Sequence, residues 1–335
     1  MALIVQKIAV FLTLLSSAVA AQAKAMPPLP DGFVVVPAGQ SGSGQTYARI
    51  VDKAPIILMI QGSGCDSVWH DTGQGLAPVA AQNLPAVFAP GRTVMVVDKP
   101  GVAPGESRPC GADFTLDTWV QHLDAAIAAV REAGGSKGPV ALIGISEGAV
   151  TAAHLAAVRG DVAHVVFVSA AGCLLIDDMI AKAAQEASGS DDKDGLETSA
   201  RIEQASAAAE SELRRIFDPA THPDDRVWGH PVAYWRSFGM ACPAQDLAGS
   251  NANLFLAYGT ADEQVIAEGI EEITARRIIA GRPVTVRRVG EGNHMLTRPG
   301  EANPFANLVA VLREAVMWLD KSHDLDDLRP QVVDG

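Results

Sequence analysis

The 335-residue chain is short of basic residues, aromatics and cysteine, and each shortage narrows what it can do. Lys and Arg number 26 against 39 Asp and Glu, a formal charge of −13, and no basic block stands out. Binding a phosphate backbone needs a clustered cationic surface, so no nucleic-acid partner is expected. No Gly-rich loop leads into a Lys and no dinucleotide fingerprint occurs, so no cofactor is implied. The four cysteines, Cys65, Cys110, Cys173 and Cys242, contain no Cys-x-x-Cys pair. His222 and His230 lack cysteine partners at ligand spacing, so no metal site is expected. Asp177-Asp178 and Asp191-Asp192 read as solvated faces. Past the N-terminus, no segment reaches the roughly 20 uninterrupted apolar residues of a membrane span.

What is present is a 48% hydrophobic composition with 19% charged residues, enough for a large folded core. The first 20 residues read as a signal peptide: Lys7, an apolar run Ile8–Leu15, then Ala18-Val19-Ala20 as the small-x-small cleavage site, with alternatives up to residue 25. The mature chain is then exported, periplasmic or secreted, with no stable membrane insertion. An even cysteine count in an oxidising compartment favours two disulfides, with three pairings open.

Ile56–Ile60, Thr93–Val97, Val140–Ile143, Val165–Val168 and Leu254–Tyr258 are apolar at nearly every position. Such runs suit parallel strands covered on both faces. Between them, Leu116, Trp119, Val120, Leu123, Ile127 and Val130 recur at helical spacing before Gly134-Gly135. This alternation predicts an α/β fold: a mostly parallel central sheet with helices on both faces. The rhythm breaks over residues 174–245, which are polar and helix-forming, and then resumes. The expected organisation is a core of residues 33–173 and 246–321, a helical cap of residues 174–245, and a tail of residues 322–335.

Gly144-Ile145-Ser146-Glu147-Gly148 lies between an apolar strand and an Ala-rich helix, where a sharp turn would expose a serine hydroxyl above the sheet. Serine is a weak nucleophile until a base takes its proton, and the base needs an acceptor to fix its tautomer. His294 and Asp262 follow the last two strands and supply these groups, with Glu263 as the fallback acid. Backbone N–H groups of Ser63, in the loop after Ile60, and of Glu147 are placed to hold an oxyanion. The Glu147 side chain is expected to face solvent without a catalytic role. Trp228 and Trp235 in the cap, and Trp69 beyond the Ser63 loop, are candidate walls of a substrate pocket.

These motifs resemble those of the α/β-hydrolase superfamily over about residues 33–320. Asp98-Lys99-Pro100-Gly101-Val102-Ala103 is similar to its Asp-x-x-Gly-x-Gly loop, with Ala103 replacing the last Gly, and Gln61 stands where many members carry His. On that fold Cys65 and Cys110 fall in loops after neighbouring strands, while Cys173 and Cys242 bracket the cap. The expected pairing is therefore Cys65–Cys110 and Cys173–Cys242. The resemblance implies a serine hydrolase cleaving carboxylic esters through an acyl-enzyme. A serine peptidase of aminopeptidase or acylpeptide hydrolase type is the alternative, and a non-catalytic binding protein a third reading. The partner is thus a small ester or a short peptide.

Overall fold

The computed structural model describes residues 26, 28–30, 32–38, 44–79, 91–173 and 195–326. The expected signal peptide, residues 174–194 of the expected cap and residues 327–335 of the tail lie outside the described residues.

Eight strands form the main sheet: β1 (Val34–Val36), β2 (Thr46–Arg49), β3 (Ile56–Ile60), β4 (Thr93–Val97), β5 (Val140–Ile145), β6 (Val162–Val168), β7 (Asn253–Gly259) and β8 (Val284–Val289). Their spatial order is β1-β2-β4-β3-β5-β6-β7-β8. Strand β2 runs antiparallel to both neighbours, and every other pairing is parallel. The registers Ile60↔Gly144, Ile145↔Val168 and Gly259↔Val289 bring the carboxyl ends of β3, β5, β6, β7 and β8 to one edge. In open parallel sheets, that edge is where ligand sites form.

The α-helices among the described residues are α1 (Leu116–Glu132), α2 (Glu147–Val158), α3 (Gly195–Phe217), α4 (Val232–Ser237), α5 (Pro243–Gly249), α6 (Ala267–Ile279) and α7 (Ala306–Asp326). The start of α1 is fixed by a reciprocal cap. Thr118 N–H donates to the Thr115 hydroxyl, and Thr115 N–H donates to that of Thr118. Such a cap contributes about 1 kcal/mol.

The apolar strands are explained by two separate cores. Ile56, Leu58, Ile60, Met95 and Leu142 face a cluster with α1, α2 and α6, whereas Ile57, Met59, Val96 and Ile143 face a second cluster with α7. Burial on both faces removes the polar alternation that a one-sided sheet would show.

Some boundaries differ from expectation. Helix α5 straddles the 245/246 border of the expected cap and packs on α2 and α6. Helix α7 continues to Asp326, past the expected end of the core at residue 321. Three two-stranded ribbons also occur, of which Arg226–Val227 with His230–Pro231 matters most below. Cys65 is bonded to Cys110 and Cys173 to Cys242, the expected pairing. No helix among the described residues is long and apolar enough to cross a membrane.

Candidate active site

Ser146 sits between the end of β5 and the first residue of α2, with φ 56° and ψ −128°. A non-glycine residue with this backbone is strained, and such strain persists only where the surroundings over-determine it. Two glycines make the turn possible. A β-carbon on Gly144 would collide with the backbone of Gly148 and Ala149, and one on Gly148 with the carbonyls of Ile60 and Gln61. Ser146 N–H donates to the Val168 carbonyl at 2.9 Å, which fixes the turn to the neighbouring strand.

The loops after β7 and β8 are locked together. Thr260 N–H donates to Val289 O at 3.0 Å, Ala261 N–H to Gly292 O at 2.9 Å, and Glu291 N–H to the Thr260 hydroxyl at 2.8 Å. Gly259 lies so close to Gly292 that a β-carbon there would overlap its carbonyl. The consequence is that Asp262 and His294, 32 positions apart, meet. His294 Nδ1 lies 3.0 and 2.9 Å from the two Asp262 oxygens, and His294 Nε2 lies 3.0 Å from Ser146 Oγ. Asp262 Oδ1 also accepts the Gln264 and Val265 N–H groups at 2.8 and 3.1 Å. Glu263 meets His294 through the backbone, accepting its N–H at 3.3 Å.

A cavity of about 230 Å³ opens on this constellation, with Ser63, Ser146, Glu147 and His294 at its base. Trp228, His230, Tyr234, Trp235 and Phe238 supply its aromatic wall. The ribbon carrying the first of these turns through Trp228 (φ 46°) and Gly229 (φ 80°), two positive-φ residues between paired strands. That is the pattern of a tight primed hairpin, and it thrusts Trp228 and His230 over the site. Trp235 Nε1 donates to Val227 O at 2.7 Å, and His230 stacks on Tyr234 at 4.1 Å. Burial, with the Lys99 and Arg226 charges, pulls the His230 imidazole down to about 4, so it is neutral at pH 7.

Two sequence expectations are corrected. Trp69 is not a pocket wall: it is buried in the second core, edge-on to Phe33 and Tyr47 with centroids 5.3 Å away in each case. The Glu147 side chain does not face solvent. It is buried, and Oε1 accepts from Lys99 Nζ at 2.6 Å while Oε2 accepts from the Tyr234 hydroxyl at 2.9 Å. Lys99 is fully buried, also donates to Gly62 O at 2.7 Å, and stands 4.7 Å over the Phe114 ring. Burial pulls the Lys99 ammonium down and pushes the Glu147 carboxyl up, each opposed by attraction to the other. Desolvation also raises the Tyr234 phenol, which therefore stays protonated and donates.

The comparisons agree with this geometry at the level of the fold. The chain superimposes on Est1E from Butyrivibrio proteoclasticus with a TM-score of 0.53 and 16% identity, covering 87% of this chain and 98% of that one. Against the Pyrococcus horikoshii acylaminoacyl peptidase the TM-score is 0.52 at 14% identity, over 81% of this chain but 38% of the peptidase. Against Porphyromonas gingivalis dipeptidyl peptidase 4 it is 0.52 at 12% identity, over 85% and 35% of the two chains. Identities this low establish shared architecture alone. A search of curated proteins finds no sequence match. The model of the alpha/beta hydrolase family, however, matches residues 57–307, from β3 through the His294 loop into α7. The chain belongs to the alpha/beta hydrolase family.

Proposed function

We propose that this protein is a serine hydrolase that cleaves small carboxylic esters through an acyl-enzyme. The observation that carries the reading is the continuous path Ser146 Oγ···Nε2 His294 Nδ1···Asp262, with contacts of 3.0 and 2.9 Å. Ser146 Oγ attacks the ester carbonyl as His294 Nε2 takes its proton. The Ser63 and Glu147 N–H groups receive the developing oxyanion. His294 then hands the proton to the leaving alcohol, and water, activated in the same way, releases the acid. Asp262 holds the Nδ1–H tautomer throughout and stabilises the imidazolium. The first N–H groups of a helix lack intrahelical acceptors, which suits Glu147 to its role at the start of α2.

The cavity supports a small substrate. Its volume of about 230 Å³ falls below the roughly 300–1,000 Å³ usual for ligand pockets. Its aromatic wall favours a short or planar acyl group over a long chain. The peptidase alternative is weaker, because the carboxylate of Glu147, the residue after Ser146, is buried and both of its oxygens are already engaged, by Lys99 and by Tyr234, rather than turned to a substrate amine. A purely binding role leaves the aligned Ser146–His294–Asp262 contacts without purpose. Two disulfides among the described residues support export.

The test is hydrolysis of p-nitrophenyl esters of graded acyl length by the mature protein and by Ser146→Ala, with aminoacyl p-nitroanilides in parallel. Turnover of short esters that vanishes in Ser146→Ala supports the reading. Preference for the anilides transfers it to a peptidase, and equal turnover in both proteins removes Ser146 as nucleophile.

A further inference from the structure

The buried ion pair beside the nucleophile has a geometry that simple packing does not require. Lys99 follows β4, and its side chain reaches under the loop that follows the neighbouring strand β3. There the ammonium donates to the Gly62 carbonyl at 2.7 Å. No cis peptide bond occurs among the described residues, so the Gly62–Ser63 peptide is trans. In a trans peptide, the carbonyl of one residue and the N–H of the next point in opposite directions from one rigid plane. Fixing Gly62 O therefore fixes the direction of Ser63 N–H. The loop lies against the nucleophile: a β-carbon on Gly62 would stand 3.5 Å from Ser146 Cβ, and Ser63 borders the same cavity as Ser146 and His294.

We propose that Lys99 is a positioning residue for the reaction: its ammonium holds the Gly62–Ser63 peptide so that Ser63 N–H is aimed at the oxyanion. The inference rests on the serine hydrolase reading given above. Glu147 completes the device. Its carboxylate neutralises Lys99, which otherwise would be an isolated charge without solvent, and its own N–H is the second oxyanion donor. One ion pair thus links the two donors across adjacent loops, and Tyr234 attaches it to the aromatic wall. The charge also acts through the peptide, since a cation at the carbonyl polarises the unit and strengthens its N–H as a donor.

The experiment compares native enzyme with Lys99→Met and with the double variant Lys99→Met/Glu147→Gln, which leaves no orphaned carboxylate if the single variant folds poorly. Folding is checked by circular dichroism, and active sites are counted from the p-nitrophenol burst, so that rates refer to competent molecules. The readouts are kcat, KM and inhibition by phenylboronic acid, whose tetrahedral adduct with the serine places an oxygen in the oxyanion position.

The expected result is a kcat about 10²-fold lower, the loss typical of one oxyanion donor, with little change in KM and a parallel loss of boronate affinity. A merely structural role lowers the burst and the melting temperature but leaves kcat per active site and boronate inhibition at native values. That outcome overturns the inference while the serine hydrolase reading stands. Native enzyme without turnover dependent on Ser146 overturns both.

Discussion

Substituting Asp262→Asn changes one atom and, by the contacts around it, reverses a proton. Asp262 Oδ1 accepts backbone N–H groups from Gln264 and Val265 at 2.8 and 3.1 Å, so an asparagine must place its carbonyl oxygen there. Its NH₂ then occupies the Oδ2 position, 2.9 Å from His294 Nδ1. Oδ1, also 3.0 Å from Nδ1, is already committed to two backbone N–H groups, so the amide donor at the closer position favours an accepting Nδ1 and the imidazole proton shifts to Nε2. His294 Nε2 now carries hydrogen toward Ser146 Oγ, 3.0 Å away, and cannot take the serine proton. The wrong tautomer in a Ser-His-Asp system lowers kcat by ~10⁴-fold, or about 5.4 kcal/mol in the barrier. The assay is steady-state hydrolysis of a short p-nitrophenyl ester, with KM expected near native because the cavity is untouched. Glu263→Gln is the companion: Glu263 accepts the His294 backbone N–H at 3.3 Å, a bond a glutamine oxygen can keep, and the variant should stay within about fivefold of native. If Asp262→Asn remains within about tenfold while Glu263→Gln falls ~10⁴-fold, the acid has been misassigned.

Other consequences follow from groups away from the serine. Arg277 is buried and donates to the carbonyls of Leu247, Ser250, Ala252 and Pro283, so Arg277→Met should cost roughly 3–5 kcal/mol in urea unfolding; a loss below about 1 kcal/mol would refute this. His154 joins three helices through Asp246 on α5 at 3.2 Å and Asp117 on α1 at 3.6 Å, contacts that raise its pKa. A raised histidine stabilises fully below its unfolded value of about 6.5 and loses that contribution as pH climbs through the folded value. The stability gap between native protein and His154→Asn, roughly 0.2–1 kcal/mol, should therefore be widest below the unfolded value of about 6.5 and narrow as the pH climbs above it; a gap that widens with pH contradicts it. Cys65 and Cys110 are buried, whereas Cys173 and Cys242 are partly exposed. Limited dithiothreitol should open Cys173–Cys242 first by peptide mapping, and replacing that pair with serines should remove about 4 kcal/mol, given its 69-residue separation. Simultaneous reduction of both bridges would count against the burial argument.

Much of the fold was legible because its signals are local. Ile56–Ile60 and Val94–Val97 are apolar throughout since both faces of the sheet are covered, and their position next to glycine-rich turns located the carboxyl edge. Gly144 and Gly148 were informative for a steric reason that a sequence can carry: neither tolerates a β-carbon. The pairings Cys65–Asp66 with Ser107–Arg108 and Trp69–Asp71 with Leu76–Pro78 were not legible, because ribbons two or three residues long carry no periodicity. Trp69 shows the same limit. Its nearness in sequence to Ser63 says nothing about which face of the sheet it enters, and of the rings that receive it Tyr47 lies on β2 and Phe33 just ahead of β1, at the far edge.

Glu147 is the more instructive case, since its place at the start of α2 is legible in the sequence and its environment is not. An acidic residue at the first position of a helix is ordinarily solvated and favoured there by the helix dipole. Here the same position faces inward, because the turn at Ser146 aims the start of α2 at the centre of the sheet edge, under α4. Burial would expel an unpaired carboxylate, so the site requires a cation from elsewhere, and Lys99 supplies it from a loop 48 residues earlier. Once the strand order places β4 beside β3, the same ammonium comes within 2.7 Å of Gly62. The strained serine, the buried pair and the anchored peptide are therefore one arrangement. Each follows from fitting a helix N-terminus, a glycine loop and an aromatic wall into the same edge of the sheet.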